Sequence, residues 1–311
     1  MELRWKDLKY VLVTPARNEE DFIEKTIQSV LAQTVLPKRW VIVNDGSADR
    51  TGEIVQRYTR RHDWIELVNM PEHLDRQFAA KVHSFNAGYS RLVGCKYDVI
   101  GNLDADISFD PDYFEYLLDK FQNNRQLGVI GTPFVEGEKL VYDHDYMDQS
   151  HVSGACQLFR RECFEQIGGY TPIKGGGIDW AAVTTARMMG WQTRTFTDKV
   201  FRHHRSMGTG NGGLLMSRYR HGVKDYYLGG HPLWQLFRCC FQMTRPPYLM
   251  GGVFLFLGYM NGVVTRMERP LSNDLIQFHR AEQMRRLRSI VGKVWNRNRK
   301  SAYSKTQSAT T

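Results

Sequence analysis

Two carboxylates separated by one small residue, Asp104 and Asp106, close the apolar run Val99-Ile-Gly-Asn-Leu-Asp-Ala-Asp-Ile107. A run that short can be one buried strand. Its end then holds two hard oxygen donors where a divalent cation can sit, and such a cation can in turn hold a diphosphate. The plainer reading is that the pair ends a strand and caps the helix that Pro111 opens, which is the commoner fate of an isolated Asp-x-Asp. What the rest of the chain brings to the same place decides between the two.

Upstream, Tyr10-Val-Leu-Val13 is a buried strand that Thr14-Pro15 should stop, because proline cannot continue a central strand. Asp21 to Gln33 has helical apolar spacing, Trp40-Val-Ile-Val43 is a second strand closed by Asn44-Asp-Gly-Ser47, and Thr51 to Arg61 is a helix that Ser47 or Asp49 can cap. Ile65 to Val68, a helix over Ala79 to Leu92, and a strand over Asp98 to Leu103 follow. Strands alternating with helices of this length predict βαβ units and a parallel sheet, hence an α/β fold. Such sheets bind ligands where loops leave the carboxyl ends of the strands. Three of those ends carry Thr14-Pro-Ala-Arg-Asn-Glu-Glu20, Asn44-Asp-Gly-Ser47 and Asp104-Ala-Asp106, so polar groups converge on one rim.

The chain has 311 residues, 42% of them hydrophobic, which is a globular composition. Its five cysteines are odd in number and form no Cys-x-x-Cys pair, which suggests neither a disulfide framework nor a zinc site and fits a reducing cytosol. The charged start Met1-Glu-Leu-Arg-Trp-Lys-Asp7 does not read as an export signal. The net charge of +9 is concentrated late, since Arg280 to Lys300 holds eight Lys/Arg against Glu282 alone. A basic run of this kind faces water, nucleic acid or an anionic membrane.

Taken together, these segments resemble family 2 glycosyltransferases, inverting enzymes with a GT-A fold: a Rossmann-like, mostly parallel central sheet flanked by helices. The matching pieces are the Thr14 to Glu20 loop, Val43-Asn-Asp-Gly-Ser-Ala-Asp49, Lys81 through Asn86-Ala-Gly88, Leu103-Asp-Ala-Asp106, Gly154 to Arg161 with Gly168-Gly-Tyr170, and Gly177-Ile-Asp-Trp180 with Arg187 and Gly190. They cover about residues 8 to 210 in the family's order. The resemblance implies that Asp45 accepts a pyrimidine N3–H, with Thr14, Ala16, Arg17 and Glu19 around base and ribose. A carboxylate acceptor for an imide points to uridine, while an Asx-turn is the local alternative for Asp45. Lys81 and Asn86 are implied to reach ribose or phosphates, although an exposed lysine on a helix face explains Lys81 equally well. Asp104 with Ala105 is placed against the nucleotide, and Asp104 and Asp106 against Mg²⁺ or Mn²⁺ on the diphosphate, where a divalent ion stabilises the leaving group's charge.

His203 or His204, with Arg205, follows the strand-like Thr195 to Phe201 and stands where relatives place a third metal ligand or a diphosphate contact; a surface histidine pair is the alternative. Asp179 is the candidate base that takes the acceptor hydroxyl's proton in an inverting transfer. The family commonly has Glu-Asp here and this chain has Ile178-Asp179, so one acid of the pair is missing, and Asp179 can also be read as a helix cap.

The sequence therefore predicts a catalytic GT-A domain over 1–210, a helical, partly apolar and basic extension over 211–300, and a disordered tail over 301–311. Tyr248 to Val264 spans 17 mostly apolar residues with four glycines. It is short for a membrane span and flanked by Arg245, Arg266 and Arg269, so it either lies at a membrane interface or is a buried helical hairpin. Met284, Leu287, Ile290, Val291 and Val294 give the basic stretch an apolar stripe that suits anionic lipid. The expected activity is metal-assisted transfer of a hexose from a UDP-sugar to a hydroxyl of a polysaccharide or lipid-linked glycan. The expected location is cytoplasmic, peripheral at the inner face of the membrane, with no nucleic-acid partner. A degenerate nucleotide-sugar-binding protein is one alternative. A sugar nucleotidyltransferase is another, but it would need a Gly-rich phosphate loop after the first strand.

Overall fold

A computed structural model describes residues 8–72, 78–141, 149–205 and 213–308. The chain divides into two compact units, Met1–Met207 and Gly208–Thr311.

The first unit opens with four parallel strands, β1 (Tyr10–Ala16), β2 (Arg39–Asp45), β3 (Ile65–Met70) and β4 (Val99–Leu103), joined through α1 (Ile23–Leu31), α2 (Thr51–Thr59) and α3 (Phe78–Ser90). There follow β5 (Ile107–Ser108), α4 (Tyr113–Asn123), β6 (Leu127–Gly131), β7 (Phe134–Glu136), β8 (Lys139–Val141), β9 (Cys156–Arg160), α5 (Arg161–Gln166), α6 (Ile178–Met188), β10 (Gln192–Thr195) and β11 (Phe201–His203). The main sheet has seven strands in the order β10-β6-β9-β4-β1-β2-β3, and β9 runs antiparallel to both neighbours. A smaller sheet, β5-β11-β7-β8, stands beside it in the order given. The α/β, mostly parallel architecture is the one the strand–helix alternation predicts.

Burial explains why the strands read as they do. Val11, Leu12, Val13, Trp40, Val41, Ile42 and Val43 are wholly buried, as expected for central strands covered on both faces. Helix α1 puts Ile23, Ile27 and Val30 into that core at three-and-four spacing.

Two local expectations are corrected. Strand β1 does not stop at Thr14-Pro15. It pairs with β4 only from Tyr10 to Val13 but with β2 from Val11 to Ala16. The β4 ladder has ended before Pro15, so the missing N–H costs no ladder bond on that side. The expected single strand Thr195 to Phe201 is instead two strands in different sheets, β10 ending at Thr195 and β11 starting at Phe201.

The second unit is helical: α7 (Gly213–Tyr227), α8 (Pro232–Met243), α9 (Met250–Val264) and α10 (Asn273–Ser308). The glycines of α9 mark a crossing with α7 at backbone contact. A Cβ on Gly258 would lie 2.0 Å from the Tyr219 carbonyl oxygen, and one on Gly222 the same 2.0 Å from that of Leu255. The apolar stretch is thus a helix packed on α7 by its glycine face, and no helix among the described residues is long and apolar enough to cross a membrane. Helix α10 packs through Leu275, Ile276 and Gln283, whose side chain accepts from the His231 N–H at 2.7 Å. It continues through 301–308, where the composition suggests an irregular tail, because neither proline nor glycine interrupts Lys293–Ser308; residues 309–311 lie outside the described residues.

Candidate active site

The loops after β1 and β2 are knitted together before any ligand is considered. The Asn18 N–H donates to Ser47 Oγ at 3.0 Å, Glu19 N–H to Thr51 Oγ1 at 2.8 Å, and Ala48 N–H to Asn18 Oδ1 at 2.9 Å. Asp49 accepts from the Thr51 N–H at 3.0 Å and so serves the first turn of α2. Gly46 has φ 63°, and a Cβ there would lie 2.8 Å from backbone atoms of Pro71 and Glu72. Only glycine fits that approach. It fixes the chain just after Asp45, the last residue of β2, which is 6% exposed and stands opposite Met70 of β3.

Strand β4 delivers Asp104 and Asp106. The Asp104 N–H donates to the Ala155 carbonyl at 2.9 Å, extending the β4–β9 pairing past the last strand residue. Strand β11, running beside β5, brings His203 to the same place. One donor atom each from Asp104, Asp106 and His203 lie within 4.8 Å of one another, and His203 Nε2 is 3.7 Å from Asp106 Oδ1. His203 Nδ1 donates to the Arg205 carbonyl, which orients the ring and leaves Nε2 as the nitrogen that faces the carboxylates. His204 turns the other way: its Nε2 meets Ser108 Oγ at 2.9 Å and its ring stacks on Phe22. The alternation of a strand explains the choice between the two. Two carboxylates and an imidazole nitrogen are a donor set that suits a divalent ion.

Two cations hold these acids together. Lys81, on α3, forms an ion pair with Asp104 Oδ1. Arg205 donates to Glu19 Oε2 at 2.7 Å, reaches within 3.6 Å of Asp106 Oδ2, and lies over the Phe22 ring. Burial works against the charge on Lys81, but Asp104, then Asp179 and Asp106, outweigh it and lift its pKa above the ordinary lysine value. Burial also holds Asp104 above the usual aspartate value, although Lys81 pulls it down and Asp106 adds to the rise. Glu19 is pushed up to about 7 by burial first and the Asp106 charge second, with Arg205 opposing. Glu19, expected beside base and ribose, is thus electrically part of the Asp106 cluster.

Asp179 is the second residue of α6, whose N-cap position belongs to Gly177 at φ 94°. The capping role open to it in the sequence is therefore filled by another residue. Its side chain lies over Gly154: a Cβ on Gly154 would come within 2.7 Å of Asp179 Oδ2. The Gly154 carbonyl in turn accepts from Asn102 Nδ2 at 2.8 Å, and Asn102 lies on β4 two residues before Asp104. Sequence reasoning has Gly154 only as the start of a motif and gives Asn102 no role; a polar asparagine inside an otherwise apolar strand was the available signal.

Other expected contacts are not brought to the cluster. Thr14, Ala16 and Ala105 are 0%, 1% and 3% exposed. The Thr14 hydroxyl accepts from Trp40 Nε1 at 2.9 Å, and the Ala105 carbonyl accepts from Thr26 Oγ1 at 2.8 Å. Alternation along β1 turns the side chains of Thr14 and Ala16 into the core. Asn86 is exposed on α3, five residues and so about 140° round the helix from Lys81. Arg17 is partly buried in the loop after β1.

Over residues 11–147 the chain matches the family described as Glycosyl transferase family 2, and its mostly parallel sheet flanked by helices is the GT-A fold of the solved structures it resembles. The poly-β-1,6-N-acetyl-D-glucosamine synthase of Staphylococcus aureus strain MSSA476 is 31% identical over 125 residues, 40% of this chain and 28% of that protein. The synthase of Staphylococcus epidermidis is 29% identical over the same shares. The aligned part is thus little more than a quarter of the length of these relatives. Among solved structures, S. aureus TarS 1–349 in complex with UDP-GlcNAc has a TM-score of 0.54 at 12% identity, covering 84% of this chain and 74% of that one. The mannosyltransferase PcManGT from Pyrobaculum calidifontis, in complex with GDP-Man and Mn²⁺, has a TM-score of 0.52 at 17% identity, covering 93% and 87%.

Proposed function

We propose that the protein transfers a hexose from a UDP-sugar to a hydroxyl of a glycan acceptor, with inversion and with the help of Mg²⁺ or Mn²⁺. The observation that carries this reading is the meeting of Asp104, Asp106 and His203 at the carboxyl end of the sheet, with Asp179 close enough for its charge to act on Lys81. Asp104, Asp106 and His203 would hold the ion, which when bound offsets the charge growing on the diphosphate leaving group. Asp45 accepts the uracil N3–H, with Arg17 in the neighbouring loop, and Lys81 and Arg205 offer cationic partners to phosphate oxygens. Asp179 takes the proton of the acceptor hydroxyl as its oxygen bonds to the anomeric carbon and the bond to the β-phosphate oxygen breaks. The Asp179→Asn variant tests this: UDP binding should stay within about threefold of wild type while turnover falls roughly a hundredfold or more. Near wild-type turnover would remove Asp179 from the chemistry.

We further propose that the second unit meets the anionic inner face of a membrane, where a lipid-linked or polysaccharide acceptor grows. Support comes from the outward side of α9, where Phe256, Leu257, Val263 and Val264 are exposed, and from Leu233 and Leu236 on α8. A surface helix apolar on both sides is unusual in water, and the basic residues of α10 add attraction to anionic lipid. Co-sedimentation of the whole chain with anionic vesicles at low salt, and its absence with neutral ones, is the expected result. A chain left in the supernatant by both would overturn it.

A further inference from the structure

Asp104 has two claimants. It is one of the three residues whose donor atoms converge within 4.8 Å, and one of its oxygens, Oδ1, is already paired with the Lys81 ammonium. That ammonium is about one-third exposed and is attracted by Asp106 and Asp179 as well as by Asp104. A divalent ion arriving alone must displace the ammonium from Asp104 or settle beside it, and both options oppose binding. A nucleoside diphosphate changes the balance, because it brings two or more negative charges and gives the lysine new oxygen partners. Lysine suits this exchange: it is a compact charge with three donors on a flexible stem, able to move between a carboxylate and a phosphate.

Resting on the reading of this site as a nucleotide-sugar site, we infer that Lys81 is an internal counter-ion that keeps bare divalent cations weakly bound and makes metal and diphosphate bind together. The coupling is reciprocal: whatever factor UDP adds to Mn²⁺ affinity, Mn²⁺ adds to UDP affinity. Lys81 is thereby a positioning and gating residue for the donor, distinct from the ligands themselves. Arg205 does not duplicate it, because its closest partner is Glu19 at 2.7 Å and its distance to Asp106 is 3.6 Å.

The test is calorimetric titration of the full chain with MnCl₂, with and without saturating UDP, for wild type, Lys81→Met and Lys81→Arg. Wild type should bind Mn²⁺ weakly alone and at least about tenfold more tightly with UDP. In Lys81→Met, bare Mn²⁺ should bind about tenfold more tightly than to wild type, and the gain from UDP should shrink by at least that factor. Lys81→Arg, which keeps the charge but not the compact, flexible ammonium, should bind bare Mn²⁺ as weakly as wild type, within about threefold, and show a smaller gain from UDP. If Lys81→Met has a lowered thermal midpoint, Lys81→Gln, which keeps a hydrogen-bond donor for Asp104, makes the same comparison. Unchanged or weaker binding of bare Mn²⁺ to a folded, uncharged variant overturns the role given to Lys81 while leaving the UDP site intact. Failure of wild type to bind UDP with Mn²⁺ at all overturns the reading of the site as well.

Discussion

The side chain of Asp179 rests on the backbone of Gly154: a Cβ on that glycine would lie 2.8 Å from Asp179 Cβ and Cγ and 2.7 Å from Oδ2. Because Asn102 Nδ2 holds the Gly154 carbonyl at 2.8 Å, the aspartate on α6 is seated on an element tied directly to the strand that delivers Asp104. The distance between Asp179 and the Asp104–Asp106 pair is thereby constrained by the pairing of β4 with β9 and by the absence of one methyl group on Gly154.

Gly154→Ala should push Asp179 out of place while leaving the Asp104, Asp106 and His203 cluster standing. Turnover should fall about a hundredfold, the scale of an ångström's misplacement of a reacting group, with UDP affinity in Mn²⁺ within about threefold of wild type. Equal losses in turnover and UDP affinity would mean that the methyl group disturbs the whole rim.

Glu19 gives the fold a pH dependence with a definite sign. Its carboxyl is raised from an ordinary 4.5 to about 7 in the folded protein. The unfolded chain therefore releases this proton first, and the metal-free fold loses stability as pH rises from about 4.5 through about 7, the contribution being fully present below the lower value. Glu19→Gln should flatten that part of the curve in urea unfolding without metal. An unchanged slope would assign the effect elsewhere.

The backbone contact between α7 and α9 makes Gly222 intolerant. A methyl group there would stand 2.0 Å from the Leu255 carbonyl oxygen. Overpacking of this kind costs about 1–3 kcal/mol when side chains can yield, and here the obstacle is backbone. Gly222→Ala should lower the thermal midpoint measurably, whereas Gly292→Ala, with nothing within 4 Å of the new methyl, should leave it unchanged or raise it. Equal behaviour of the two variants would contradict the crossing.

The first four strands and their crossover helices were legible because each buried strand is a short apolar run ending in polar loop residues, and a sheet covered on both faces needs such runs. The place of β9 between β4 and β6, antiparallel to both, was not, since Cys156 to Arg160 looks the same in either direction. Asp104, Asp106 and Asp179 could be named from their motifs, and the choice of His203 over His204 had to wait for the strand that orients them. That the side chains of Thr14 and Ala16 are buried was not legible, because a loop motif does not say which side chains alternate into the core. The glycines of α9 weakened a membrane span in the sequence, and their reason, contact with α7, appears only once the two helices are packed.

The account rests on a uridine diphosphate site that needs a divalent ion, and titration of UDP and of GDP into the full chain, with Mn²⁺ and with EDTA, tests it most directly. UDP should bind with Mn²⁺ and lose at least about tenfold in affinity with EDTA. Asp106→Asn should bring the Mn²⁺ curve close to the EDTA one, and GDP should bind more weakly than UDP throughout. UDP binding indifferent to EDTA and to Asp106→Asn, or a clear preference for GDP, would contradict the assignment of Asp104, Asp106 and Asp45 on which the account stands.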